Sequence, residues 1–223
     1  MYLDANGLIE QSNGDGGDKL QREGFWFLGN YFSGWMAIPG MAAYADALRI
    51  LQNSQGQIIR DEILYTSPTD VSRDQVTPNI IACGFLGKTW WIQKIVSGLL
   101  SNFSRYPNGD IAFVQDYGRL VRALGLWYLS PLLYLCDLQM LVSVIIRIFA
   151  GFDPNNVGDD INTIADLAQA QHVYPTAVSF MARKLYKYLR PQGPLYPLQW
   201  YFRAETGANT EFIELWKPIV ENF

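Results

Sequence analysis

The sequence predicts an all-α protein, and three observations carry the prediction. Apolar residues recur at helical spacing, clusters of turn formers interrupt them at short intervals, and the alternation expected of strands is almost missing. Helices joined by such short loops pack as antiparallel helical hairpins, and a partial or distorted (α/α) toroid is one form that such a set takes. One helical domain over residues 1–223 is the expected organisation.

The first eighteen residues are turn formers, with Asn6-Gly7, Asn13-Gly14 and Asp15-Gly16-Gly17-Asp18 in succession. Asp18 reads as the N-cap of a helix beginning at Lys19, whose apolar face carries Leu28, Tyr31, Phe32 and Trp35 before Pro39-Gly40 ends it. Met41 to Asn53 reads as a second helix, and Gln57 to Tyr65 as a short strand or an extended connection. The next helix is expected to start at Pro78 with Thr77 as its cap. Another follows through Trp91, Ile92, Ile95, Val96 and Leu99. Tyr106-Pro107-Asn108-Gly109-Asp110 is a turn. Ile111–Leu129 and Pro131–Ala150 then read as two apolar helices, with further helices near 161–172, 175–189, 197–204 and 210–220. No fixed-period repeat is visible along the chain.

Composition narrows the function classes. A net charge of -4 and a pI near 5.0 argue against nucleic acid as the partner, because phosphate binding needs a basic patch. The chain is long enough to bury roughly 70% of its unfolded surface without a disulfide or metal staple. Cys83 and Cys136 lie in apolar runs and read as buried free thiols, which suits a reducing compartment. The run from Ala123 to Phe152 is long enough to span a bilayer. Asp137, Gln139, Ser143 and Arg147 within it make two core helices the expected reading, divided at Pro131. The start Met1-Tyr2-Leu3-Asp4 lacks the basic and apolar regions of a signal peptide, so a cytoplasmic or phage-virion location is expected.

The polar residues gather at loop-to-helix junctions, where an acidic residue is followed closely by arginine: Asp18 with Arg22, Asp70 with Arg73, Asp116 with Arg119. Asp110 and Asp159-Asp160 occupy similar positions. Each such pair is, taken alone, an ordinary helix cap with a local ion pair. Taken together, helix N-termini in a hairpin array collect on one face. Their carboxylates could there line a cleft whose aromatic walls stack on sugar rings, as glycoside hydrolysis requires. On that reading Asp74, Asp18 and Asp160 are candidate catalytic carboxylates, with Arg73, Gln75, Asp70 and Arg22 as substrate-binding residues. His172 and Tyr174 form a candidate base and acid for a polysaccharide lyase and extend the same substrate-binding set. Asp4 and Asp15 in the Gly-rich opening have the oxygen chemistry of a calcium site, although the spacing is not that of an EF-hand. No P-loop, GxSxG or Cys-His signature is present. The competing reading is a non-enzymatic virion or surface module that binds glycan or protein, with assembly into a virion or a homo-oligomer as the expected partner state.

The opening DANGLIEQSNGDGGDKLQREG, the SRDQ segment at Ser72–Gln75 and the GDDIN loop at 158–162 resemble motifs of uncharacterised all-helical bacteriophage and bacterial proteins. Their order is more distantly similar to glycan-active enzymes built as a toroid of helical hairpins. That resemblance implies action on polysaccharide at the mouth of the toroid, with Asp15, Asp18, Asp70, Asp74 and Asp160 at matching positions. The chain is shorter than a full ring of six hairpins needs.

Overall fold

A computed structural model of the chain describes residues 4–6, 8, 19–32, 38–150, 165–167, 169, 177–178, 180–181 and 184. The protein is all-α over this part: α1 (Lys19–Phe32), α2 (Ile38–Ile50), α3 (Arg73–Leu86), α4 (Thr89–Ser101), α5 (Val114–Ala123) and α6 (Ser130–Ala150). Among the described residues there is no β-strand, only two isolated antiparallel bridges.

Three of these helices lie side by side and point the same way. Gln21 meets Asp74, Gly24 meets Pro78, and Tyr31 meets Phe85, so the offset between α1 and α3 stays at 53 or 54 residues. A near-constant offset means parallel helices. Arg73 meets Phe113 and Gly84 meets Ala123, which puts α5 parallel to α3 in the same manner. Between them run the return helices: α4 turns back along α3 after Gly87, which takes the left-handed conformation (φ 65°) that favours glycine. The expected hairpins are therefore present.

The contact between α1 and α3 explains a helix start that the sequence places wrongly. Pro78 reads as a first-turn residue, yet α3 begins at Arg73 and carries Pro78 inside it. Proline cannot donate to the carbonyl four residues earlier, here that of Asp74, and an interior proline costs about 3 kcal/mol or more. The Gln21 side-chain amide of α1 donates to that carbonyl (3.4 Å) and takes up the vacant position. Gly24, one turn along, lets the backbones meet, since a Cβ there would lie 2.8 Å from the backbone of Pro78 and Asn79. Asn79 then ties the layer together. Its amide nitrogen donates to the carbonyls of Leu20 and Gln75, and its oxygen accepts from the Tyr44 hydroxyl of α2.

The structure also contains a repetition not visible in the sequence pattern. Gln52 pairs with Ile58 and Arg105 with Ile111 across two turns of the same design. Asn53 N–H donates to Gln57 O and Gly56 N–H to Asn53 O in the first; Tyr106 N–H to Asp110 O and Gly109 N–H to Tyr106 O are their counterparts in the second. Ile59 to Leu51 and Ala112 to Ser104 close the two ladders. Gly56 (φ 74°) and Gly109 (φ 97°) hold the same left-handed position. Each turn carries one hairpin into the next. Residues 60–72, present after the first turn and without a counterpart after the second, make the spacing of the turns longer than that of α3 and α5.

Two further boundaries differ from expectation. The extended reading of Gln57–Tyr65 reduces to the bridge at Ile58 and a bend over 62–64, closed by the Asp61 carboxylate, which accepts from the N–H groups of Ile63 and Leu64. The helix expected over Ile111–Leu129 is interrupted, because Gly125 adopts φ 70° and a 3-10 turn at Trp127–Leu129 leads into α6. The bulk of α6 is apolar on both sides: Tyr134, Leu135, Leu138, Val142 and Ile146 are exposed, and Asp137 is the only charged residue from Ser130 to Ile146. Among the described residues no helix is long and apolar enough to cross a membrane. The helices expected beyond residue 185 lie outside the described residues.

The α1–α3 contact makes a direct prediction. Gly24→Ala gains helix propensity of ~1 kcal/mol but forces apart two packed backbones, an overpacking cost of roughly 1–3 kcal/mol. A net loss of stability is expected in urea unfolding; an increase would contradict the close approach.

Candidate functional site

Because α1, α3 and α5 run parallel, their N-terminal ends share one end of the molecule, and of the polar residues singled out in the sequence that end carries Asp70, Arg73 and Asp74. The first turn of α3 has no cap from its own Ser72 side chain. Asp110, from the second repeated turn, supplies it by accepting the Arg73 N–H (3.2 Å). Asp74 accepts a hydrogen bond from the Ser72 hydroxyl. The Arg73 guanidinium lies 4.5 Å over the ring of Phe113, which is half exposed. Arg60 sits in the same way over Tyr65 (5.3 Å) and donates to the carbonyl of Asp70 (3.3 Å). The rim therefore presents two aromatic rings, each backed by an arginine, beside the half-buried Asp70 and Asp74.

The remaining candidates separate. Gln75 is fully buried and belongs to the core between the helices, away from the rim surface. Arg22 is half-buried on the first turn of α1. Asp4 accepts from the backbone N–H groups of Asn6 (2.8 Å) and Leu8 (3.0 Å) and from the Lys19 ammonium (2.9 Å). Burial acts to raise its carboxyl, but the Lys19 bond and the two N–H donors outweigh it and hold the group below its usual range. Lys19 also reaches Glu62 at 2.5 Å, so the segment 60–72 is fastened to the start of α1. No group of three or more His, Cys, Asp or Glu residues among the described residues is placed to hold a metal ion. Asp15, Asp18, Asp160, His172 and Tyr174 lie outside the described residues.

A second polar cluster lies in the interior, and the sequence reading missed most of it. Arg122 of α5 is 1% exposed and makes a two-pronged bond to Asp166 (3.2 and 2.5 Å) and a third bond to Asp137 of α6 (2.8 Å). Arg119, one turn earlier, bonds Asp116 at 2.9 Å and lies 3.5 Å from Asp166. The expected Asp116–Arg119 pair thus exists, as part of a five-residue network of three carboxylates and two guanidiniums. Asp116 also accepts from the N–H of Phe113 (2.6 Å), which fixes the start of α5. Burial is the largest influence on its carboxyl and raises it above 3.8 despite Arg119. Its contribution to stability is therefore full below that pH and is lost as pH rises through the folded value. Asp116, Asp137 and Asp166 show no solvent exposure, so this cluster cannot meet a substrate. It is a structural lock.

Two signals in the sequence point to the lock. Asp116, Arg119 and Arg122 fall at three-residue intervals, on one face of a short helix. Asp137, in the middle of an apolar run, needs a buried partner wherever the run is buried. Asp166 has no such local mark, and only the folding of the chain brings it to Arg122. Small residues make room nearby: a Cβ on Gly118 would meet the Cys136 sulfur at 2.6 Å, and one on Gly84 would strike the Gln169 amide.

Cys83 and Cys136 are free and buried, as expected. Burial pushes the Cys136 thiol up to about 11 and the Cys83 thiol further. Since the thiolate is the reactive form, the folded protein at neutral pH should not react with Ellman's reagent within minutes, and denaturant should release two thiols. Rapid labelling of the native protein would contradict this burial. The chain matches no family model, and neither a curated protein nor a solved structure is significantly similar to it.

Proposed function

We propose that the protein is a carbohydrate-binding helical module, of the kind carried on a virion or a surface, which receives glycan along the rim formed by the N-terminal ends of α1, α3 and α5. The observation that carries this reading is the pair of arginine-backed aromatic rings, Arg73 over Phe113 and Arg60 over Tyr65, beside the carboxylates at the start of α3. A ring face stacks on the apolar face of a sugar, and arginine and carboxylate groups hydrogen-bond its hydroxyls. Continuing the row of parallel helices into a partial toroid would place further helix starts on the same rim.

Binding without turnover is favoured over hydrolysis by how the carboxylates are used. Glycoside hydrolysis needs one carboxyl as acid and a second as base or nucleophile. Asp110 is occupied as the cap of α3, and Asp74 is held by Ser72. A hydrolase would have to complete its pair from Asp70, Asp18 or Asp160.

Affinity electrophoresis through gels containing a panel of polysaccharides tests the proposal. Retardation by at least one polysaccharide is expected, weakened about tenfold (~1.4 kcal/mol) in Phe113→Ala with an unchanged circular dichroism spectrum. Absence of retardation across the panel overturns the reading. Release of reducing ends by the wild type, lost in Asp74→Asn, would replace it with the hydrolase.

A further inference from the structure

Next to the rim segment, the two repeated turns, residues 68–71 and the C-terminal half of α4 line a cleft of about 490 Å³. This is the size of a small-molecule site, not of a groove for a folded partner. Its wall is apolar: Val71, Val76, Ile95 and Leu99 are all buried core residues that face it, with Ile58 beside them. Its charged residues are Lys94 and Arg105. No Asp or Glu lines it, although the chain as a whole carries 21 acidic residues against 17 basic ones.

The two cations are held by neutral groups. The Lys94 ammonium donates to the Gln52 side-chain oxygen (2.7 Å) and the Gly56 carbonyl (2.6 Å), and Arg105 donates to the Gly109 carbonyl (2.9 Å). Neither is within ion-pair distance of a carboxylate among the described residues. Both side chains are solvent-exposed, and both have N–H donors to spare.

A glycine supplies an independent observation. Gly98 lies inside α4, where glycine is unfavourable. Gly24, Gly84 and Gly118 each have a neighbour that a Cβ would strike, but a Cβ on Gly98 would meet nothing within 4 Å. Packing does not call for glycine at this position. Gly98 is exposed and lines the cleft, and a side chain there would enter open space.

We propose that this cleft binds a small amphipathic anion, a carboxylate on an apolar chain, with the chain against Val76, Ile95 and Leu99 and the carboxylate at the cationic edge. Arg60, Tyr65, Arg73 and Phe113 do not line this cleft, and the proposal does not depend on the glycan reading. Octanoate is the probe, titrated into the full chain by calorimetry, with octan-1-ol as the uncharged control. Saturable binding of octanoate is expected, with octan-1-ol and the double variant Lys94→Gln/Arg105→Gln each weaker by about tenfold or more. Gly98→Leu adds a bulky side chain to the lining from a helical position and should weaken or abolish binding while leaving the unfolding midpoint unchanged or raised. The proposal is overturned if octanoate does not saturate at millimolar concentration, if octan-1-ol binds equally well, or if Gly98→Leu binds like the wild type.

Discussion

The guanidinium of Arg122 is the interaction on which the described architecture turns. It is buried, it belongs to the last of the three parallel helices among the described residues, and it is shared between Asp137 of α6 and Asp166 further along the chain. A buried cation without its partners is among the costliest defects a protein can carry. The same side chain therefore dictates where α6 crosses α5 and where the helical residues around 166 must sit. Gly118 and Gly84 follow from this constraint, because the elements that Arg122 draws in come close enough to exclude a Cβ.

The other end of the row is governed by a backbone problem. Pro78 leaves the Asp74 carbonyl without its helical donor, and Gln21 of α1 fills the gap. This works only with α1 parallel to α3 and close to it, which Gly24 permits. The arrangement also fixes the rim. With α1 and α3 in register, the inserted segment 60–72 folds over their starts, anchored by Lys19 to Glu62 and by the Leu20 N–H to the Arg60 carbonyl. The two repeated turns then place a cation each at the edge of the cleft, Lys94 through Gly56 and Arg105 through Gly109. One supersecondary unit, used twice, builds both the path of the chain and its cleft.

Much of the fold was legible because it depends on local chemistry. The apolar spacing of Trp91, Ile92, Ile95 and Leu99 marks α4, and the turn at Asn108-Gly109 is written in residue types that favour it. Pro78 was misread because its cost is offset by Gln21, a residue 57 positions away in sequence, and local rules do not see such a partner. The turn repeat was missed because its two copies share little beyond a glycine and an isoleucine. The rim was partly legible: Arg73, Asp74 and Asp70 do lie there, but the roles of Asp110 as a cap and Phe113 as a ring under Arg73 depend on α3 meeting α5. Gln75, polar by type, is buried, since the first turn of α3 faces α1 on that side. Asp166 could not be paired with Arg122 from spacing alone.

The buried charges act as a lock on the helix array. Urea unfolding of Arg122→Met beside the triple variant Arg122→Met/Asp137→Leu/Asp166→Leu tests it most directly. The single change strands two buried carboxylates and should lose about 3–5 kcal/mol, while the triple change removes all three charges and should regain most of that loss. A triple variant no more stable than the single one, or a single variant as stable as the wild type, would contradict it.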